Sequence, residues 1–418
     1  MIKRTDAAAS WYMIDNKRSP ENVRDTVLFA NLSNAEQQGQ SANYYPMNFL
    51  ENGFELTQAV SDGYNASGGS YIYMAFAADP TTVEPTLEDS FNTVLYSGNG
   101  GTQSVTGVGF QPDLAWIKGR VSGASGLTWH LLYDSIRGID KALASNANNS
   151  ELSLPSSLTS FNSDGFTLGS DSGVGNTGWN QSGVSYVAWA WKGAELPAIN
   201  SNGSIPSVVS ANPAAGFSIV SYTGSGSSQT MGHGLSDAPK VIIIKNRSGA
   251  NSWNVYFNGI TANNQVLYLN QTIAVATNPS QTIWQTPTNT TIGGGTSADI
   301  AISGNNYIAY CFAEVEGFSK FGSYVGQGLG NTTSVNVGFE PAFIMVKCSS
   351  RGSSSYDFWL MIDNKRGDTK YLYANTSNAE DTSSTVFEFT ANGFNAIGGN
   401  VGNATGETFI YMAFANQF

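Results

Sequence analysis

Four stretches decide how this chain folds: YIYMAFA at 71–77, YVAWAWK at 186–192, YIAYCFA at 307–313 and FIYMAFA at 409–415. Each is apolar at almost every position and rich in aromatic and β-branched residues, and each is too short for a core helix, so it reads as a strand. A half-buried strand alternates apolar with polar; one that is apolar on both faces is central and covered from either side. The chain therefore consists of repeats that each close on such a strand.

Other motifs precede the closing strands in fixed order. Immediately upstream lie the turns Asn65-Ala-Ser-Gly68, Asn180-Gln-Ser-Gly183 and Asn403-Ala-Thr-Gly406, whose Asn and Ser/Thr side chains can bond nearby backbone N–H groups. Before them come FLENGF at 49–54, FNSDGF at 161–166 and FTANGF at 389–394, where Asn-Gly or Asp-Gly between aromatics marks a tight hairpin. Further upstream, a strand ends in Ile-Lys or Val-Lys at Lys118, Lys245 and Lys347. A Tyr–Gly turn opens the unit: YSGNG from Tyr96, YTGSG from Tyr222 and YVGQG from Tyr324.

These landmarks place units at 1–78, 91–193, 217–316 and 317–418, with Pro-, Ser- and Asn-rich linkers at 79–90 and 194–216. The last two units are joined by a few residues around EVEGFSKF and are expected to pack as a pair. Three openings match four closings. Met1-Ile2-Lys3 aligns with Met345-Val346-Lys347, so the first unit enters the pattern midway and lacks about 27 residues by comparison with Phe318 to Ile344. A half-built sheet leaves an open edge, which folded proteins avoid. The sequence is then either a fragment of a longer chain or completed by strands from another subunit.

Short strands and frequent turns in roughly 100 residues per unit fit an all-β chain of four tandem antiparallel β-sandwich units, jelly-roll by preference, the first incomplete at its N-terminus. The composition agrees: 46 Gly, 12% aromatic and only 12% charged residues over 418 positions. A net charge of −12 and the lack of a Lys/Arg cluster argue against nucleic acid as a partner. No apolar run reaches the roughly 20 residues of a membrane helix, so membrane insertion is not expected. MIKRTDAAASWY lacks the apolar core of a signal peptide, and two cysteines, Cys311 and Cys348, make no disulfide framework; both fit assembly in a reducing cytoplasm.

The best candidate for chemistry is an Asp–Arg pair inside a repeated octapeptide, WYMIDNKR at 11–18 and WLMIDNKR at 359–366. Asp15/Arg18, Asp134/Arg137 and Asp363/Arg366 keep a D-x-x-R spacing in three units, whereas the third unit, in WNVYFNG from Trp253, puts Phe257 at the Asp position and has no Arg to pair with it there. Carboxylates held this way can serve acid–base or ligand-binding work, or the pair can pin the turn after a buried strand; its loss from one unit favours the structural turn pair. Tyr64 and Trp179, at matching positions before their closing strands, are candidate ligand or subunit contacts, with local core packing as the alternative. His130 and His233 have no histidine partner in their own units, so neither catalytic residues nor a metal or other cofactor is expected. SGNGG at 97–101 is followed by no GK[ST], and Arg366-Gly367-Asp368 belongs to the D-x-x-R-G element rather than to an adhesion tripeptide.

The set YxGxG, GF-x-P, D-x-x-RG, F-x-x-NGF and YIYMAFA, with AAGFSIVSYTG and VEGFSKFGSY at the unit junctions, resembles a repeat of virion proteins of tailed bacteriophages, especially marine ones. The resemblance spans nearly the whole chain. It implies a concanavalin- or lectin-like β-sandwich, location in the virion, and a non-enzymatic structural or adhesive role with no catalytic residues to carry over. The expected function is a tail fibre or adhesin presenting its repeats to the host surface. The alternatives are a capsid-decorating or tail-coating protein and a polysaccharide depolymerase. Expected partners are other virion proteins, further copies of the chain and a host-surface glycan.

Overall fold

The computed structural model describes residues 1–16, 18–19, 22–37, 45–50, 53–57, 63–76, 90–121, 128–171, 177–194, 196–295, 298–352 and 356–415. Among them the regular structure is antiparallel strand throughout, apart from a four-residue helical turn at Ala298–Ala301. The chain divides into two compact units, Met1–Val83 and Glu84–Phe418.

Within the larger unit, three sandwiches each lay a large sheet over a three-stranded one. In the first of these (the second repeat) the large sheet runs Leu152–Ser153, Lys141–Ala144, Leu131–Asp134, Leu114–Gly119, Ser185–Trp191, Phe91–Ser97. The closing strand Ser185–Trp191 thus lies between the lysine strand and the opening strand, paired to both. Asn306–Phe312 and Thr408–Ala415 take the same place in the other two. The small sheet contains the aromatic hairpin: Phe161 pairs with Phe166 and Phe389 with Phe394, with Asn162 facing Gly165 and Thr390 facing Gly393.

The two apolar faces of the closing strand have different destinations. Tyr186, Ala188 and Ala190 point into their own sandwich, beside Val105, Phe166 and Leu168. Val187, Trp189 and Trp191 join a second core shared by all three sandwiches. At its centre the equivalent residues Trp191, Phe312 and Phe414 form a triangle, with ring centroids 6.2, 5.9 and 5.8 Å apart. The three large sheets are therefore arranged about a quasi-threefold axis and fused into one body. The last two repeats do not form a separate pair, because each closing strand has an apolar outer face that only the other two sheets together cover.

The expected linker at 194–216 is corrected as well. It carries two strands, Ala198–Asn200 and Ser207–Asn212, which extend the sheet of the following sandwich beyond its opening strand. SVVSAN alternates enough to bury Val209 and Ser210 while exposing Val208, which the Pro- and Asn-rich surroundings obscured. The linker expected at 79–90 lies, except for Ser90, outside the described residues.

The smaller unit contains the later part of the same plan. One sheet runs Leu28–Phe29, Trp11–Met13, Ile2–Arg4, Tyr71–Tyr73, and the hairpin Met47–Leu50 with Gly53–Leu56 packs on it. Ile2 pairs with Tyr73 as Val346 pairs with Tyr411, which fixes the alignment of the two repeats.

Candidate functional site

The three D-x-x-R elements share one local geometry. Oδ1 of the aspartate accepts the backbone N–H of the arginine at 2.9, 2.9 and 2.8 Å in the pairs Asp15–Arg18, Asp134–Arg137 and Asp363–Arg366. Oδ2 accepts the arginine Nε at 2.7, 2.5 and 2.6 Å in the same order. Nη2 of Arg18, Arg137 and Arg366 then donates back to the strand, to the carbonyls of Met13, Leu132 and Met361. In the larger unit the turn is closed by Gly138 and Gly367, whose φ of +85° and +93° suits glycine.

Asp15 and Arg18 share this geometry and differ from the other two pairs in setting. The side chains of Arg18 and Asp15 are 20% and 47% exposed, whereas both side chains of Asp134–Arg137 and of Asp363–Arg366 are fully buried. Ser19 stands after Arg18 where the other turns have glycine. Glu36, in the Asn-Ala-Glu run that matches Asn378-Ala379-Glu380, lies 3.7 Å from Arg18 Nη1, and that nitrogen is buried without a hydrogen bond. The octapeptide is thus the same in sequence at both ends of the chain and different in setting. Arg18 pins its own turn from a half-buried position, and such a pair contributes little to stability.

In the larger unit these pairs reach beyond their own sandwich. Trp189 Nε1 of the second repeat donates to Oδ2 of Asp363 at 3.0 Å, and Tyr310 OH of the third donates to Oδ2 of Asp134 at 2.7 Å. A second carboxylate bridges two arginines at each seam. Glu380 binds Arg366 and, across the seam, Arg120; Glu151 binds Arg137 and, across the seam, Arg247. Arg120 and Arg366 together outweigh the burial of Glu380 and hold its carboxyl below the ordinary range.

The third seam, between the fourth and third repeats, has the same backbone and none of the Asp, Arg and Glu side chains of the other two. Val275 N donates to Ser349 O at 3.0 Å, as Glu151 N does to Arg247 O and Glu380 N to Arg120 O. At the matching side-chain positions Phe257 replaces the aspartate, Ile260 the arginine, Val275 the glutamate, Ser349 the bridging arginine and Met412 the Trp/Tyr donor. Phe257 and Met412 lie in the shared core, with Ile260 and Val275 packed against it. The missing Asp–Arg pair is thus one part of a complete exchange of a polar seam for an apolar one. Removing one member alone would leave a buried charge without compensation.

A second bond type also circles the axis. Trp253 Nε1 donates to Ala144 O and Trp359 Nε1 to Tyr268 O, each in the neighbouring sandwich. His130 takes the same position in the second repeat, near the Tyr373 carbonyl, while its Nδ1 accepts Trp116 Nε1 at 3.0 Å. Burial, followed by the charges of Lys118 and Arg366, keeps this imidazole well below its usual pKa. His233 is buried too, with Leu235 N donating to its Nδ1. Lys118 and Lys347 place their ammonium groups on carbonyls across a seam, Ser377 and Thr272; Lys245 stays within its own sandwich on Asn246 and Gly249. Burial lowers Lys118 to about 7 and Lys245 and Lys347 to about 8.

The loop motifs lock one another in place. Tyr96 OH donates to Trp179 O and Tyr222 OH to Ile300 O, and Tyr324 OH bonds Gly402 O. Asn180 and Asn403 accept the N–H groups of Asn99 and Gln327 in the opposing Tyr–Gly loops. A Cβ on Gly98, Gly224 or Gly326 would run into the carbonyl oxygen of Gln181, Ile302 or Ala404, so the Gly after each opening Tyr marks a close backbone approach.

Neither candidate contact aromatic is a free loop tip. Tyr64 is fully buried in the core of the smaller unit, with its OH on Pro46 O. Trp179 is half-buried against its own core, with Nε1 on Gly169 O and its backbone N–H on Asp171. Arg366 of the Arg-Gly-Asp tripeptide is buried in its seam, and both cysteines are buried, with burial pushing Cys311 up to about 12. Among the described residues no group of three or more His, Cys, Asp or Glu side chains could hold a metal ion, and no helix is long and apolar enough to cross a membrane. The cross-seam donors Trp189 and Tyr310 escaped sequence reasoning; their signal was the change from Trp to Tyr to Met at one position of the closing strand.

The chain belongs to the family described as a domain of unknown function (DUF7483), whose model matches residues 1–80 and 86–417. A comparison with curated proteins gave no match.

Proposed function

We propose that this is a non-enzymatic structural protein of a phage virion, a tail fibre or adhesin that presents β-sandwich repeats to the host surface. What supports the reading is how the recurring charges of the repeat are used. In residues 84–418 the Asp–Arg pairs, their bridging glutamates and the strand-end lysines are committed to turns and seams that weld three sandwiches into one rigid body. The Asp–Arg pairs Asp134–Arg137 and Asp363–Arg366 are fully buried and have no open face toward a substrate. The work is then left to outer surfaces, as in a binding or building protein.

Adsorption competition tests the proposal. Host cells preincubated with the purified chain should lose phage adsorption in proportion to the chain bound. Unhindered adsorption, together with label distributed over the capsid shell in cryo-electron microscopy, would assign the decorating role instead. Release of oligosaccharide from host polysaccharide would overturn the non-enzymatic reading.

A further inference from the structure

The three seams of the larger unit differ in how the chain spans them. Residues 192–197 connect the second repeat to the third, and residues 313–318 connect the third to the fourth. No such connection spans the seam between the fourth and second repeats, because those two are not consecutive. Noncovalent contacts alone hold it. Among them are the Glu380–Arg120 ion pair, Trp189 on Asp363, the Ser145 hydroxyl on Ala374 O and the Lys118 ammonium on Ser377 O.

This seam also has a titratable ring where the other two have an indole. Trp253 and Trp359 donate Nε1 across their seams at 2.9 and 3.0 Å, and an indole N–H neither gains nor loses a proton near neutrality. His130, fully buried at the same position, approaches the Tyr373 carbonyl, and its Nε2 completes no hydrogen bond. Nδ1 accepts Trp116 Nε1 at 3.0 Å, which places the ring proton on Nε2. A second proton, on Nδ1, would meet the Trp116 N–H head on. It would also set a third cation beside Lys118 and Arg366, whose charges already oppose it. The other ionisable groups of the seam are committed: Asp363 and Glu380 bind Arg366, Arg120 binds Glu380, and burial keeps the Tyr373 phenol neutral.

We propose that the seam between the fourth and second repeats is an acid-sensitive latch: protonation of His130 parts these two sandwiches, while the two seams with tryptophan donors stay shut and each sandwich stays folded. The sign follows from the two settings of the ring. In the parted form His130 takes a proton at its ordinary 6.5, and in the closed form it resists well below that value. The parted form therefore gains on the closed one as pH falls under 6.5, by up to about 10-fold per pH unit. Lys118, at about 7 when closed, is charged in both forms below that point and adds a constant penalty to the closed one. Glu380, held below its usual 4.5, loses its charge only under that value. From 6.5 down to about pH 5 the pH dependence of this seam thus belongs to His130.

Each seam has an equivalent backbone amide that reports on it: Glu380 N on Arg120 O, Glu151 N on Arg247 O and Val275 N on Ser349 O. Hydrogen exchange of the full chain is compared at about pH 7.5 and about pH 5, after correction for the intrinsic exchange rate. Glu380 N should lose protection by about 10-fold or more, while Glu151 N and Val275 N keep theirs. His130→Gln retains an acceptor for Trp116 and a donor for the Tyr373 carbonyl and does not titrate, so Glu380 N should then be equally protected at both pH values. Independently of that variant, the His130 ring resonance of the unaltered chain should shift over the same pH range in which Glu380 N loses protection. The proposal is overturned if Glu380 N stays protected in acid, or if the three amides lose protection together. It is equally overturned if folded His130→Gln keeps the pH dependence, or if the ring titrates apart from the amide.

Discussion

Trp189 Nε1 and Asp363 Oδ2 meet at 3.0 Å across a seam, 174 residues apart in sequence, with the Arg366 guanidinium 5.4 Å from the Trp189 ring. One aspartate thus closes its own turn and anchors a neighbouring sandwich. Asp363→Ala leaves Arg366 buried beside an apolar gap and should cost about 3–5 kcal/mol. Trp189→Phe keeps the ring and removes the N–H, and should cost about 1.5–3 kcal/mol. Denaturant melts of the two single variants and the double variant decide this; additive losses would mean that the seam bond is not the coupling.

The apolar seam permits a reciprocal experiment. Phe257→Asp alone puts a carboxylate among Ile260, Val275 and Met412 and should destabilise by more than about 3 kcal/mol. Adding Ile260→Arg, Val275→Glu, Ser349→Arg and Met412→Tyr rebuilds the network of the other two seams. That fivefold variant should recover at least half of the loss. If the five changes simply accumulate, the seams are not interchangeable modules.

The limits of the sequence reading follow from the range of the interactions. Closing strands, hairpins and Tyr–Gly openings were legible because each is a local pattern with its own period or turn chemistry. The alignment of Met1-Ile2-Lys3 with Met345-Val346-Lys347 rested on the same patterns. The fusion of three sandwiches was not legible, because Trp189 finds Asp363 and Tyr310 finds Asp134 through tertiary arrangement alone. For the same reason Arg18 and Arg366 look identical inside their octapeptides, although only Arg366 is sealed in a seam. Phe257 looked like a lost aspartate when read by itself, and its meaning came from Met412, 155 positions away by residue number. For Tyr64 the sequence left contact and core packing open, because an aromatic beside a turn looks the same in either setting, and the structure buries it.

The Tyr–Gly loops offer a stability test independent of charge. Gly326→Ala drives a Cβ into the carbonyl oxygen of Ala404, and backbone has to move to accept it. Gly367→Ala meets no atom within 4 Å and suffers only from φ +93°. The first should cost several kcal/mol and the second about 1 kcal/mol. Equal losses in thermal melts would show that left-handed strain, not close approach, sets the need for glycine in both places.

The buried lysines give the fold a pH dependence whose sign is set by their lowered pKa values. In the unfolded chain Lys118 takes its proton at 10.5, and in the folded protein at about 7. Between those values the unfolded chain binds a proton that the folded one does not, so stability rises with pH through that window. Below about 7 both states are protonated and the burial penalty is complete. Lys245 and Lys347, lowered to about 8, act in the same direction. The gain ends near pH 10, because Tyr96, Tyr222, Tyr310 and Tyr324 are held far above 10.0 and resist ionisation only when folded. The melting temperature should therefore climb from about pH 7 to about pH 9.5. Lys118→Met should raise it by a few degrees at neutral pH while flattening the climb, and a slope unchanged by that substitution would exclude Lys118 as a source.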